Sequence, residues 1–300
     1  MKKRVALVTG GYGFVGKYLV KHLESIGYSV FKAGRNIDSN DPTSYKLDIR
    51  DKLMVSNLVN TLMPDEIYHL AAISHPVNDA IDEFYKINLL GTLNVIESGV
   101  KTNSKILLIS SAYVYGNQFS TVNETAKLRS LTHYGMSKYF TERISEIFST
   151  IDNAKIIIAR SFNHTGLGQN SNFFIPSLVE QVKDGLKRNK PTVTVQVGNL
   201  NSVRDYLDVR DVVDAYQKLV QAEKFGEVFN VCSGKGRSVL DIIKLIESII
   251  DKRIEYESIE LKKRANDIDF LVGDNSKLLT NTDWEIKIPL ETTLKEMLQM

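Results

Sequence analysis

Short apolar runs alternate with amphipathic stretches through the first half of the 300-residue chain. The runs at 4–9, 29–33, 45–47, 66–70, 105–110 and 155–159 predict strands. Stretches at 15–26, 52–61, 81–100 and 134–149 space their apolar residues for helices. The strand runs are continuously apolar rather than alternating, the pattern of a sheet buried on both faces. Strand–helix alternation of this kind predicts an α/β fold, a doubly wound parallel (Rossmann) sheet with right-handed crossovers. The rhythm breaks near residue 163, where Asn163-His164-Thr165-Gly166-Leu167-Gly168 reads as a loop. Beyond it, helices are predicted at 174–185, 209–222 and 239–250, and strands at 193–197, 203–207 and 228–231. No flexible linker or repeat separates the halves. The expected organisation is a Rossmann domain over 1–163, with returning segments near 203–231, and a smaller C-terminal lobe over 164–300. A cleft between them would open above the strand C-termini.

Composition narrows the partners. With 38 basic and 36 acidic residues and no basic block, the chain has no electrostatic footprint for nucleic acid. The single cysteine, Cys232, allows no internal disulfide and suits a reducing compartment. Met1-Lys2-Lys3-Arg4 ahead of Val5–Val8 looks like a leader. The apolar run stops at Thr9-Gly10-Gly11, too short for one, and nothing approaches the length of a membrane span. The expectation is a cytoplasmic protein with no membrane partner. The five histidines are scattered without metal-ligand spacing, so no metal site is expected.

Gly11-Tyr12-Gly13-Phe14-Val15-Gly16 fits G-x-G-x-x-G, and Gly10 adds a looser G-x-x-G-x-x-G register. It follows a strand and opens a helix. In that setting Gly10, Gly13, Phe14 and Val15 can present backbone N–H groups to the diphosphate of a dinucleotide. At the end of the second strand, where NAD-binding chains place an acidic residue, the sequence reads Ala33-Gly34-Arg35-Asn36. Arg35 favours NADP(H) by pairing with a 2′-phosphate, while Asp38, slightly later, leaves NAD(H) open. Asp48 and Ile49, after the third strand, are placed either to meet an adenine edge or to cap the next helix.

Tyr134 and Lys138 lie at i and i+4, one helical face. An ammonium beside the phenol is expected to lower its pKa towards working pH and make it a proton donor or acceptor for a carbonyl–alcohol pair. Ser111, at a strand end, can hydrogen-bond the reacting oxygen. These features, with His69-Leu70-Ala71-Ala72, Asn88 and Gly91-Thr92, resemble the extended short-chain dehydrogenase/reductases, which act mainly on nucleotide sugars. The resemblance implies a catalytic triad of Ser111, Tyr134 and Lys138. Tyr134 is then the acid/base, Lys138 holds the cofactor ribose, and Leu70, Ala71 and Ala72 border the cofactor. It also implies a homodimer through the 81–100 and 134–149 helices, with Phe140, Ile144, Ile147 and Phe148 as possible apolar surface or as internal packing.

Members that dehydrate sugars resemble one another by an acidic pair directly after the Ser or Thr. Here Ala112 and Tyr113 stand there, and neither serves as the required acid or base. Epimerase–reductases carry a cysteine in that segment, and none is present; Cys232 reads as buried packing. In the lobe, Arg160–Gln169, Val197-Gly198-Asn199-Leu200 and Val203–Asp211 resemble a branch that reduces GDP-6-deoxy-4-keto-D-mannose. By that resemblance the partner is a GDP-linked sugar reduced at C4, with a talose-like, rhamnose-like or heptose product all open. Asn163, Asn199, Arg204 and Arg264 are the expected substrate contacts, the arginines offering forked donors to phosphate oxygens. The alternatives are an NAD-dependent 4-epimerase and a redox-sensing binding module.

Overall fold

The computed structural model describes residues 3–74, 81–188, 191–259 and 268–299. In chain order its strands are β1 (Val5–Thr9), β2 (Ser29–Gly34), β3 (Ser44–Lys46), β4 (Glu66–His69), β5 (Lys105–Ser111), β6 (Ile156–Ser161), β7 (Asn163–Thr165), β8 (Val193–Val197), β9 (Val203–Asp208), β10 (Val228–Val231), β11 (Gly236–Ser238), β12 (Ile254–Ser258) and β13 (Phe270–Leu271). The helices are α1 (Phe14–Ser25), α2 (Lys52–Leu62), α3 (Ile81–Glu83), α4 (Thr92–Lys101), α5 (His133–Ile151), α6 (Phe174–Lys187), α7 (Val209–Ala222), α8 (Val239–Ile250), α9 (Ser276–Asn281) and α10 (Leu290–Gln299).

Seven strands form one sheet in the order β10-β6-β5-β4-β1-β2-β3, every pairing parallel. The doubly wound expectation therefore holds. The continuous apolar runs are explained by burial on both faces. Ala6, Val8 and Leu107 pack with Leu19, Leu23, Val212 and Tyr216 from α1 and α7. Leu7, Ile67, Ile106 and Leu108 turn the other way, onto Val55, Val59, Val95 and Ile96 from α2 and α4. Burying each such side chain stabilises the fold by about 1.5–3 kcal/mol. Strand order reverses between β1 and β4, so a crevice opens beyond their C-terminal ends.

The predicted helix at 81–100 is interrupted. Phe84–Gly91 is π-helical, between α3 and α4. The Asn88 carbonyl accepts the hydroxyls of Thr92 (2.5 Å) and Thr141 (3.1 Å), and that capture competes with the regular helical ladder. The stretch after residue 162, expected as loop, contains β7, which pairs with β9. β9 also joins β11 and β13 in a smaller sheet, and β8 pairs with β12. Of the returning segments, β10 lies on the edge of the main sheet and β9 in the smaller one. A separate core of Ile175, Leu178, Val182, Val193, Ile242 and Leu294 holds α6, α8, α10 and β8 together. No helix among the described residues is long and apolar enough to cross a membrane.

Candidate active site

Gly10 leaves β1 with φ +72°, and a Cβ there would lie 2.8 Å from the Ala71 nitrogen. The chain leaving β4 thus runs against the glycine loop, which puts Leu70, Ala71 and Ala72 on the opposite wall of the crevice. A Cβ on Gly16 would lie 2.2 Å from the Gly10 carbonyl oxygen, so α1 is seated directly on the loop. Gly13 caps α1 without a side-chain hydrogen bond, and the first turn, beginning Phe14-Val15, holds no acidic residue. A positive helix end with no acidic residue in its first turn, above a glycine-rich loop, fits the diphosphate of a dinucleotide.

Two features mark the strand ends where an adenosine is expected. Arg35 is exposed just past β2, close enough to help depress the Asp48 pKa. Asp48 is paired within the chain. The Arg50 guanidinium lies 3.0 and 3.1 Å from its two oxygens through Nε and 2.6 Å through Nη2, and holds its carboxyl below the usual range. The helix cap is Asp51, which accepts the Met54 N–H at 3.0 Å. Ile49 turns its side chain into the core against Gly91 and leaves only backbone at the strand end.

A buried polar chain braces the crevice floor. The Ala71 N–H reaches Thr9 Oγ1 (3.3 Å), Thr9 Oγ1 bonds His69 Nδ1 (2.7 Å), and His69 Nε2 bonds Thr92 Oγ1 (2.9 Å). Thr92 gives its own proton to the Asn88 carbonyl, so His69 must donate from Nε2 and accept at Nδ1. Burial first, then the Lys138 charge, hold His69 neutral, with its pKa pushed down to about 3.

β5 delivers Ser110 and Ser111 to the crevice, and Thr132 starts α5 by accepting the Gly135 N–H at 3.0 Å. That cap sets Tyr134 in the first turn, hydrogen-bonded to Ser111. One turn on, Lys138 Nζ donates to the Ile109 carbonyl at 2.7 Å. The trio is assembled, but its electrostatics are not those expected. Burial pushes the Tyr134 phenol up to about 12, and the opposing influence is Ser111 rather than Lys138. Burial pushes Lys138 down to about 8. At neutral pH the phenol therefore keeps its proton, and the ammonium, though weakened by burial, still predominates over the amine.

Tyr134 closes one end of a cavity of about 390 Å³ that also receives Tyr113, Asn163, Asn199, Arg204 and Tyr206. Three of the four expected substrate contacts thus share one space with the phenol; the fourth, Arg264, lies outside the described residues. Arg204 is buried and donates to the Val203 carbonyl at 3.0 Å. Asp205 accepts the Ser233, Gly234 and Gly273 N–H groups, and Asp208 accepts from Arg210 and Thr293. Asn199 accepts the Asn201 N–H at 3.1 Å and donates to Asp269 at 3.4 Å, so both ends of its amide are tied down. Cys232 packs with Ala112 and Phe162, its thiol pushed up by burial. Tyr113, Phe173 and Tyr206 line the cavity without having been singled out from sequence. The Phe173-Phe174 pair opening a helix was the available signal; Tyr113 had been read only as a missing acid. Among the described residues no cluster of metal-ligating side chains occurs.

A family model described as GDP-mannose 4,6 dehydratase matches residues 7–297. The chain is 35% identical over 278 residues to a GDP-6-deoxy-D-talose 4-dehydrogenase of Aggregatibacter actinomycetemcomitans, spanning 91% of this chain and 89% of that one. It is 30% identical over 303 residues to a GDP-6-deoxy-D-mannose reductase of Pseudomonas aeruginosa, spanning 97% and 95%. The solved structure of RMD from Pseudomonas aeruginosa, complexed with NADPH, matches the fold with a TM-score of 0.85 and 28% identity, over 99% of this chain and 98% of that one.

Proposed function

We propose, for a chain that belongs to the GDP-mannose 4,6 dehydratase family, that it is an NADPH-preferring reductase of the 4-keto group of a GDP-4-keto-6-deoxy-hexose. The observation that carries this reading is the single cavity joining a protonated Tyr134 to Asn163, Asn199 and Arg204. The two most similar relatives described above are named for redox chemistry on GDP-6-deoxy sugars, which supports the substrate class. Ala112 and Tyr113 supply no acid or base beside Ser111, which argues against dehydration by this chain.

When bound, the nicotinamide cofactor supplies the hydride. The glycine loop and the α1 N-terminus would hold its diphosphate, and Arg35 its 2′-phosphate. Tyr134 gives its phenolic proton to the substrate oxygen as that oxygen gains negative charge. Ser111 donates to the same oxygen, and Lys138 would hold the cofactor ribose. Arg204 offers a forked donor to the diphosphate of the sugar nucleotide.

The test is NADPH oxidation against matched GDP- and UDP-linked 4-keto sugars, with products identified by NMR. Turnover confined to the GDP-linked ketones is expected. NADPH binding without turnover on any of them would sink the reading, and copurified NAD with epimerisation but no net redox would mark a 4-epimerase instead. We also propose a homodimer. Phe140 and Ile147 are exposed on α5 beside exposed Ile81 and Leu90, whereas Ile144 and Phe148 pack inward. Light scattering at micromolar concentration should give twice the chain mass.

A further inference from the structure

Directly behind Lys138, one helical turn along α5, lies an ion pair sealed from solvent. Glu142 and Arg160 side chains are 1% and 3% exposed, with Arg160 Nη2 2.7 Å and Nε 3.0 Å from the two carboxylate oxygens. Ser110, the neighbour of Ser111, donates its hydroxyl to the same carboxylate. Arg160 Nη1 donates to Tyr115 Oη (2.9 Å) and the Glu124 carbonyl (3.1 Å), and its guanidinium sits 4.9 Å over the Tyr115 ring. Tyr115 passes its proton to Asn230 Oδ1 at 2.7 Å. The network stitches the catalytic helix to the ends of β5, β6 and β10.

Two buried charges are an expensive way to join four elements, since apolar residues of the same size often do it as well or better. The placement of the carboxylate offers a reason. Burial strips water from the Lys138 ammonium, and Glu142 is the charged group that favours it. The other neighbours do not: the His69 imidazole across on β4 is held neutral, Tyr134 keeps its proton, and Arg160 presents its positive charge from beyond the carboxylate. The Ile109 carbonyl accepts from Lys138 but carries no net charge.

We propose that the Glu142–Arg160 pair is a positioning and charge-setting device: Glu142 keeps Lys138 in its ammonium form, Arg160 holds that carboxylate in place through its two-point contact, and the bond from Ser110 fixes the strand end that carries Ser111. Neither residue is asked to touch substrate. The proposal rests on the reading of Ser111, Tyr134 and Lys138 as the proton-handling trio.

The decisive variant removes both charges, E142Q/R160Q, because Glu142→Gln alone leaves a buried arginine unpaired. Two curves are measured on it and on wild type. The first is competitive labelling of the apoprotein with fluorodinitrobenzene across pH, with Lys138 read by peptide mass spectrometry. The second is the basic limb of kcat for ketone reduction. Both should move to lower pH by at least about half a unit, roughly a threefold loss of ammonium relative to amine. NADPH affinity at pH 6 should stay within about threefold of wild type. A folded double variant with both curves at their wild-type positions overturns the proposal and leaves the pair as packing. If that variant does not fold, the same curves on Glu142→Asp decide, a smaller downward shift supporting and coincidence with wild type overturning. Should wild type reduce no keto sugar, the functional reading fails while the labelling curve still judges this one.

Discussion

The two walls of the cleft are built by different means. On the sheet side, position is dictated by backbone: a glycine at φ +72°, a helix seated so close that a Cβ on Gly16 would lie 2.2 Å from the Gly10 carbonyl oxygen, and strand ends held in parallel register. On the lobe side the cavity is walled by residues from β9, the 171–173 segment, the first half of α6 and the 196–202 stretch, which belong to different elements. Backbone geometry is all-or-none, whereas side-chain recognition is graded. Substitutions on the sheet side should therefore abolish a step or a ligand, and those on the lobe side should shift affinity by degrees.

The largest effect is expected at the junction of the walls. Tyr134→Phe keeps the ring, its contact with Tyr113 and the fold, and removes only the proton donor. Turnover should fall by about 10³-fold or more, with NADPH affinity within about threefold. Stopped-flow NADPH oxidation with a fluorescence titration measures both. Near-normal turnover would dissolve the distinction between the walls, since chemistry would then not depend on the group that joins them.

Gly10→Ala tests the backbone side alone. The new methyl must displace the Ala71 nitrogen and sit at a left-handed φ, a cost of about 1–3 kcal/mol. NADPH affinity should drop about 100-fold while GDP, titrated calorimetrically, binds within about threefold of wild type. Loss of both together would mean that the walls are one mechanical unit. On the other side, Arg204→Met should raise KM for the sugar nucleotide about 10–50-fold, leaving kcat within a few-fold, the signature of binding lost equally from ground and transition states. A collapse of kcat at unchanged KM would assign Arg204 to the chemistry instead.

What the sequence revealed follows the same divide. The main sheet was readable because strands buried on both faces carry consecutive apolar residues, Ala6-Leu7-Val8 in β1, Ile106–Ile109 in β5 and Ile156–Ala159 in β6. β8, β10, α7 and α8 fall at the residues predicted for them. β12 could not be read, because only its first residue is buried and the other four are exposed. The π-helical stretch was equally silent, since Thr141, which helps capture the Asn88 carbonyl, lies on another helix. Within the site, Tyr134 and Lys138 declared themselves by helical spacing. Arg160 and Glu142 did not, because a partner 18 residues away on a different element leaves no period. The burial that lifts the Tyr134 pKa is likewise a property of the folded cleft and not of the Y-x-x-x-K spacing.

The smallest effect should come from Arg35, proposed above as an exposed side-chain contact on the sheet side. It is exposed, so its pairing with a 2′-phosphate is screened by water and salt, and about 1 kcal/mol is a fair ceiling. Arg35→Ser should weaken NADPH binding about three- to fivefold and leave NADH unchanged, with the difference shrinking as ionic strength rises. The salt dependence is the sharper half of the test. A large, salt-insensitive loss for both cofactors would show Arg35 acting on the strand end itself, and the graded behaviour assigned to the lobe would then have no counterpart on the sheet side. An unchanged NADPH-to-NADH ratio would move the discrimination to the neighbouring Asn36 or to the Arg50–Asp48 pair.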